Sequence, residues 1–342
     1  MNPPLQRSIK RMRRVTKLIV LIVVIGVWGG ALFYSQLGPV NAQDNVDRLF
    51  VVKQGAASLQ IAKDLENEGL IKNAQVFTFY ARATGKLNKL KAGHFLFNPA
   101  MNVRQITANL VEGKVASITF TIPEGYRLQQ IAEVLAKKEI ATEKEFWAVV
   151  KEGDFAEPFL QDLPKTERRL EGYLFPDTYT IPLGMSTEDV IKMMLKRFDA
   201  VYKKLPSNKT GLTTHEVVTL ASIIEGECLL DRERSIVASV FFNRLQRGQR
   251  LEADATVQYV LETRKQRVLF KDTEIDSAYN TYRNKGLPPG PIGCPGEASL
   301  RAVLEPSDTP YFYFVARKDN SGEHVFAKTF DEHKRNKSQL GY

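Results

Sequence analysis

The residues of this sequence best placed to do chemistry are two glutamates in TLASIIEGEC, residues 219–228. Glu225 and Glu227 close a run of aliphatic residues that is apolar nearly all round, the pattern of a buried helix. An acid on such a helix is costly unless the helix surfaces there or the acid serves a cleft. Two residues apart on a helix is roughly 200° around the axis, so the two carboxyls cannot face one cleft. This excludes the convergent acid pair of ordinary glycosidases, whose carboxyls stand about 5 to 9.5 Å apart. One carboxyl alone suffices for a glycosidic bond if the sugar's own 6-hydroxyl is the nucleophile. The same group then gives a proton and takes one back. Burial and a place at the negative end of the helix dipole both raise a carboxyl's pKa, which suits a general acid. Spacing alone leaves open whether Glu227 or Glu225 does this, or whether the pair is simply a charged helix end.

The elements that must position these acids are marked in the sequence. Thr213 lies three residues before Glu216, a capping-box spacing that starts the acid-bearing helix. A second helix is expected from about Asp231 to Leu245, with Gly248 to end it. The stretch 278–296, AYNTYRNKGLPPGPIGCPG, is too rich in Gly and Pro for anything but a loop. TPYFYFVA and HVFAKTFDEHKRN read as a two-stranded hairpin and a closing helix.

Charge and hydropathy set the location. The formal net charge is +9, but the first 17 residues carry six of it (Arg7, Lys10, Arg11, Arg13, Arg14 and Lys17) and no acid. The remaining 325 residues hold only +3, so no basic face for nucleic acid is visible. Residues 18–37, LIVLIVVIGVWGGALFYSQL, are uncharged and long enough to span a bilayer. Cations before the span and none soon after put the N-terminus in the cytoplasm and the rest outside. A cleaved signal peptide is the competing reading, with Val40-Asn41-Ala42 as its cleavage site. The apolar run exceeds the ~7–15 residues of a signal h-region, which favours a retained anchor.

Beyond the anchor the sequence reads as α+β. Two stretches beginning at Phe50 and Phe120 repeat at an offset of 70, with Gly55, Ile61, Ala62 and Leu65 falling on Gly125, Ile131, Ala132 and Leu135. Each reads as a strand, a glycine turn and an amphipathic helix. The resulting β-α-α-β unit resembles the LysM module that binds cell-wall glycans, although the same pattern is common in α+β folds. The expected divisions are a basic tail (1–17), a transmembrane helix (18–37), a LysM-like domain (45–117), a second LysM-like half (118–158) and a catalytic domain (159–342).

Several residues are candidates by type and place. Asn243 and Arg244, at the end of the second helix, could orient the glutamate or bind an acetamido or lactyl group. Asp254 is either a substrate ligand or an N-cap for the helix that follows. Tyr279, Asn280, Thr281 and Tyr282 offer sugar contacts or core packing, and Leu287, Pro288 and Pro289 would shape the wall. Cys228 and Cys294 are the only cysteines, too few for a disulfide framework or a thiolate cage. They could pair across the site in an oxidising compartment. The four histidines (His94, His215, His324, His333) form no metal motif, so neither metal nor cofactor is expected. A Cys228–His215 hydrolase fails on geometry, since the two stand 13 residues apart on one helix.

The segments LEGYLFPDTY, LASIIEGE, VASVFFNRLQRGQRLEADATVQY, AYNTYRNKGLPPGPI and TPYFYFVA, in that order behind an anchor, resemble the YceG-like family of endolytic murein transglycosylases. The resemblance covers essentially the whole chain beyond the anchor. It implies a bacterial inner-membrane enzyme that cuts nascent peptidoglycan strands to leave 1,6-anhydro ends, without cofactor. It places the catalytic acid on Glu227, with Glu225 in reserve. It also implies peptidoglycan synthases as neighbours. A binding scaffold that has lost activity is the alternative from another class.

Overall fold

The computed structural model describes residues 3–161, 163–261, 265 and 268–342, and is a mixed α+β protein. Residues 1 and 2 of the basic tail lie outside the described residues. The chain divides into two compact units, one of residues 1–118 and 182–184, the other of residues 119–181 and 185–342.

In the first unit, α1 (Pro3–Gln36) runs through both the basic tail and the apolar span. Its portion Thr16–Gln36 has a mean hydropathy of 2.3 and is exposed except at its last turns, so among the described residues one helix is long and apolar enough to cross a membrane. Strand β1 (Arg48–Val52) is followed by α2 (Ser58–Asn67) and α3 (Ala74–Ala83). Strand β2 (Gly93–Phe97) then returns antiparallel to β1, with Phe50 opposite Phe95. The last helix here, α4 (Val103–Glu112), starts on a capping box between Asn102 and Gln105. The alternation of β1 and β2 puts Phe50, Val52, Phe95 and Phe97 on one face, where they pack with Ile61, Leu65, Phe77 and Ile106.

The repeat visible in the sequence is realised in the backbone. Strand β3 (Ser117–Thr121) is followed by α5 (Leu128–Lys137), α6 (Glu143–Glu152) and, after a long loop, β4 (Thr178–Pro182). Thr119 pairs with Thr180 and Thr121 with Thr178 through their hydroxyls. Gly55 and Gly125 both adopt φ +76°, the left-handed turn that glycine takes without strain.

The acid-bearing part of the second unit continues with α7 (Thr187–Tyr202), α8 (Thr214–Glu227), α9 (Asp231–Gln246) and the short α10 (Asp254–Val260). It closes with α11 (Glu297–Leu304), an antiparallel hairpin of β5 (Tyr313–Ala316) and β6 (His324–Ala327), and α12 (Phe330–Gln339). The expected capping box of Thr213 and Glu216 starts α8. Val217, Val218, Ile223 and Ile224 are β-branched, so intrinsic propensity favours this helix only weakly. All four are fully buried, and burial of each is worth about 1.5–3 kcal/mol. Tertiary packing against α10 and α11 therefore holds α8, and with it the two acids.

Candidate active site

The end of α8 sends its two glutamates to different places. Glu225 is met by Arg234 of α9, with Oε1 3.0 Å from Nη1. Its Oε2 accepts from the Gly296 N–H at 3.0 Å and from the Ser299 hydroxyl at 2.9 Å, at the start of α11. Both charged side chains are nearly closed off from solvent, at 8% and 6% exposure. Arg234 also holds Asp231. These bonds join α8, α9 and α11.

Glu227, one residue beyond Gly226, faces a cavity of about 430 Å³. A Cβ on Gly226 would stand 2.7 Å from the Cβ of Ala255, so a glycine between the acids lets the start of α10 lie against the end of α8. That approach brings the Ala255 N–H to Glu227 Oε1 at 2.9 Å. Burial pushes the Glu227 carboxyl up to about 7; the Asp254 charge pushes the same way, while the Ala255 N–H and Arg244 pull against it. A carboxyl raised this far still holds its proton in part at neutral pH, as a general acid requires.

The walls of this cavity come from distant segments. Asp254 stands at the first position of α10 and Ala253 takes the N-cap place, so the capping role open to Asp254 in the sequence is not the one it fills. Its Oδ1 instead accepts from the Tyr282 hydroxyl at 2.6 Å, beside Glu227. Arg244 lines the cavity and is held mainly by backbone, Nε on the Phe312 carbonyl and Nη1 on the Leu251 carbonyl, both at 2.7 Å, with Nη1 also 3.4 Å from Glu252 Oε2. Its guanidinium lies 5.1 Å from the centre of the Tyr313 ring. Asn243 does not line the cavity; its amide donates to the Thr309 and Tyr311 carbonyls at 2.8 Å and ties α9 to the approach of β5.

The loop candidates separate in the same way. Asn280 is fully buried and donates to the Thr273 and Ile275 carbonyls, while its Oδ1 accepts the Tyr282 N–H. Thr281 is buried too, its hydroxyl accepting the Ala253 N–H at 3.0 Å and bonding Thr256. These two brace Tyr282 and the start of α10 and do not reach the cavity. Tyr279 lies elsewhere, its ring 4.9 Å from Tyr259. Leu287, Pro288 and Pro289 do not line the Glu227 cavity, and the Pro289 carbonyl meets His215 Nε2 at 3.0 Å.

Sequence reasoning missed Glu252, Tyr313, His324 and His333, all on the cavity wall. His324 is oriented by Glu233, whose Oε2 stands 2.8 Å from Nδ1 and also accepts the His324 backbone N–H. Glu233 and His324 lie 91 positions apart, beyond any spacing rule; the quoted segments held Glu252, Tyr313, His324 and His333 without marking them as wall residues. Cys228 and Cys294 are both buried free thiols. Among the described residues, Cys228, Glu233 and His324 bring ligand-type atoms within 4.8 Å of one another, although Glu233 and His324 already bond each other and Cys228 donates to the Leu230 carbonyl.

Comparison with known proteins is consistent along the chain. The model of the YceG-like family matches residues 50–339. The endolytic murein transglycosylase of Bacillus subtilis is 35% identical over 327 residues, covering 91% of this chain and 90% of that protein. The Streptococcus pneumoniae protein of the same name is 30% identical over 348 residues, covering 93% of this chain but 63% of its own greater length. A solved crystal structure of a yceG-like protein from Listeria monocytogenes is 36% identical with a TM-score of 0.56, covering 85% of this chain and 99% of that one.

Proposed function

Because this chain belongs to the YceG-like family, we propose that it is a membrane-anchored endolytic lytic transglycosylase of peptidoglycan, with Glu227 as its single acid and base. The observation that carries the reading is the carboxyl itself. It is the C-terminal acid of a buried helix, faces a cavity, and is held near neutrality by burial and by Asp254.

The reaction then needs no other protonating group. Glu227 gives its proton to the glycosidic oxygen as the bond from that oxygen to the anomeric carbon of N-acetylmuramic acid breaks. The resulting carboxylate takes the proton of that sugar's 6-hydroxyl while its oxygen bonds the anomeric carbon. The enzyme is restored, and the strand ends in a 1,6-anhydro ring. Arg244, pinned on backbone carbonyls, is a rigid positive wall that steadies the carboxylate formed in the first step. The Tyr282–Asp254 pair fixes another part of the wall.

The remaining parts fit work beside a membrane. The exposed apolar helix Thr16–Gln36 with its cationic lead-in serves as a retained anchor, cytoplasmic at its N-terminus. The β1-α2-α3-β2 unit is a LysM-like holder of glycan, and the synthases that extend new strands are the expected neighbours.

The test is mass spectrometry of purified glycan strands digested by the full chain in detergent. The expected fragments end in anhydro sugar, one water lighter than hydrolytic ones. Hydrolytic ends would reassign the chemistry to Glu227 as acid with Asp254 as base. No cleavage at any strand length would leave a wall-binding scaffold.

A further inference from the structure

A second cavity, of about 550 Å³, lies at the other end of α10 and is used by nothing described above. Its walls include Arg127, Trp147, Glu167, Arg168, Glu171 and Tyr259. This is the size of a pocket for a small ligand. Glu171 comes from the LEGYLFPDTY segment, which the acid chemistry leaves unexplained. Its carboxyl is buried and held at both oxygens, by the Leu128 N–H and the Tyr259 hydroxyl, each at 3.0 Å. It builds the wall and is closed to a ligand.

Arg168 and Glu167 are exposed on this wall, and both are charged. The Arg168 guanidinium is exposed and lies 5.3 Å from the centre of the Tyr259 ring and 5.4 Å from that of Tyr279. Arg127 lies 5.0 Å from the same Tyr259 ring and donates to the Gln258 and Tyr259 carbonyls. With two guanidiniums over it, Tyr259 is no open platform for stacking a sugar. What faces outward is a pre-oriented cation, suited to the forked recognition of a carboxylate. Glu167, exposed on the same wall and only 4.0 Å from Lys151, offers the opposite charge. An acid, a base and the Trp147 ring side by side match a short peptide carrying both carboxylate and amine.

We propose that this cavity binds the peptide stem of the glycan strand that Glu227 cuts, with Arg168 taking a stem carboxylate. The proposal rests on the transglycosylase reading for the identity of the strand. Geometry joins the two cavities through α10. Ala255, at its start, holds Glu227, and Tyr259, near its end, walls the second cavity. The axial rise between them is only about 6 Å, at ~1.5 Å per residue. An extended peptide of three residues reaches about 10 Å, longer than that rise.

Binding to the full chain carrying Glu227→Gln tests this without cleavage. The probes are a soluble disaccharide bearing its peptide stem and the same disaccharide stripped of peptide, each titrated calorimetrically. The peptide-bearing probe should bind at least tenfold tighter. Arg168→Ala should bring the ratio of the two dissociation constants close to one, and Arg168→Lys should recover part of it. Equal binding of the two probes, or a ratio untouched by Arg168→Ala, overturns the proposal. Absence of anhydro products from the chain with Glu227 intact defeats the transglycosylase reading alone, because the binding ratio does not depend on turnover.

Discussion

Glu225 and Glu227 leave the same helix two residues apart and enter opposite kinds of surroundings. Around Glu225 the protein supplies Arg234, a backbone N–H and a hydroxyl, and leaves almost no exposure. Around Glu227 it supplies one N–H, a neighbouring acid, the more distant charge of Arg244 and a cavity. A fully partnered acid has no capacity left for substrate, and its value lies in joining three helices. An under-partnered acid is poor for stability and good for proton transfer, because little resists its change of charge. If Glu227 is the acid proposed here, a functional carboxyl is recognised by what its surroundings withhold, more than by its place in the sequence.

The comparison is broken most sharply by exchanging the two acids' fates. Glu227→Gln keeps the shape and the Ala255 contact but cannot give a proton. Activity on glycan strands should fall about 10³-fold, the usual worth of a positioned acid, with the thermal midpoint unchanged or slightly higher. Glu225→Gln should do the reverse. Removing one partner of a buried pair leaves Arg234 uncompensated and costs about 3 kcal/mol, readable as a lower denaturation midpoint. Turnover per folded molecule, measured well below that midpoint, should stay within about threefold, since the lost interaction is structural. An inactive but stable Glu225→Gln protein would overturn the assignment of both acids.

How much of this was readable in advance depends on the sequence distance involved. The opposed facing of the acids follows from helix geometry, and the Thr213–Glu216 box and the terminal hairpin follow from local rules. The 70-residue repeat gave the opening strand, glycine turn and first helix of each run, because a glycine turn and a 3.6-residue apolar period are short-range features. The identities of the wall residues were not readable. His324 and Glu233 meet across 91 positions, and Tyr313 arrives on a strand placed by Asn243 and Arg244. Asn280 and Thr281 have the types of sugar ligands, yet burial turns them into braces for Tyr282 and α10. Residue type announces hydrogen-bonding capacity; only the fold decides whether a substrate or the backbone uses it. The family resemblance supplied what spacing could not, the choice of Glu227 over Glu225.

The smallest expected effect sharpens the account of Glu227's environment. Burial is the main reason its carboxyl stands at about 7, and Asp254 adds to that elevation. A general acid works while protonated, so activity should be full below this value and lost as pH rises through it. Asp254→Asn removes a negative charge that opposes ionisation of Glu227. The carboxyl then gives up its proton more readily, and the alkaline limb of kcat/KM should move to lower pH, by no more than ~1 unit because desolvation remains. The same change weakens the bond from the Tyr282 hydroxyl, so Tyr282→Phe is the control for that loss. Tyr282→Phe leaves the Asp254 charge in place and should not move the limb toward acid. A limb that stays put in Asp254→Asn would mean that burial alone sets the acid, and that Asp254 is there for Tyr282 rather than for Glu227.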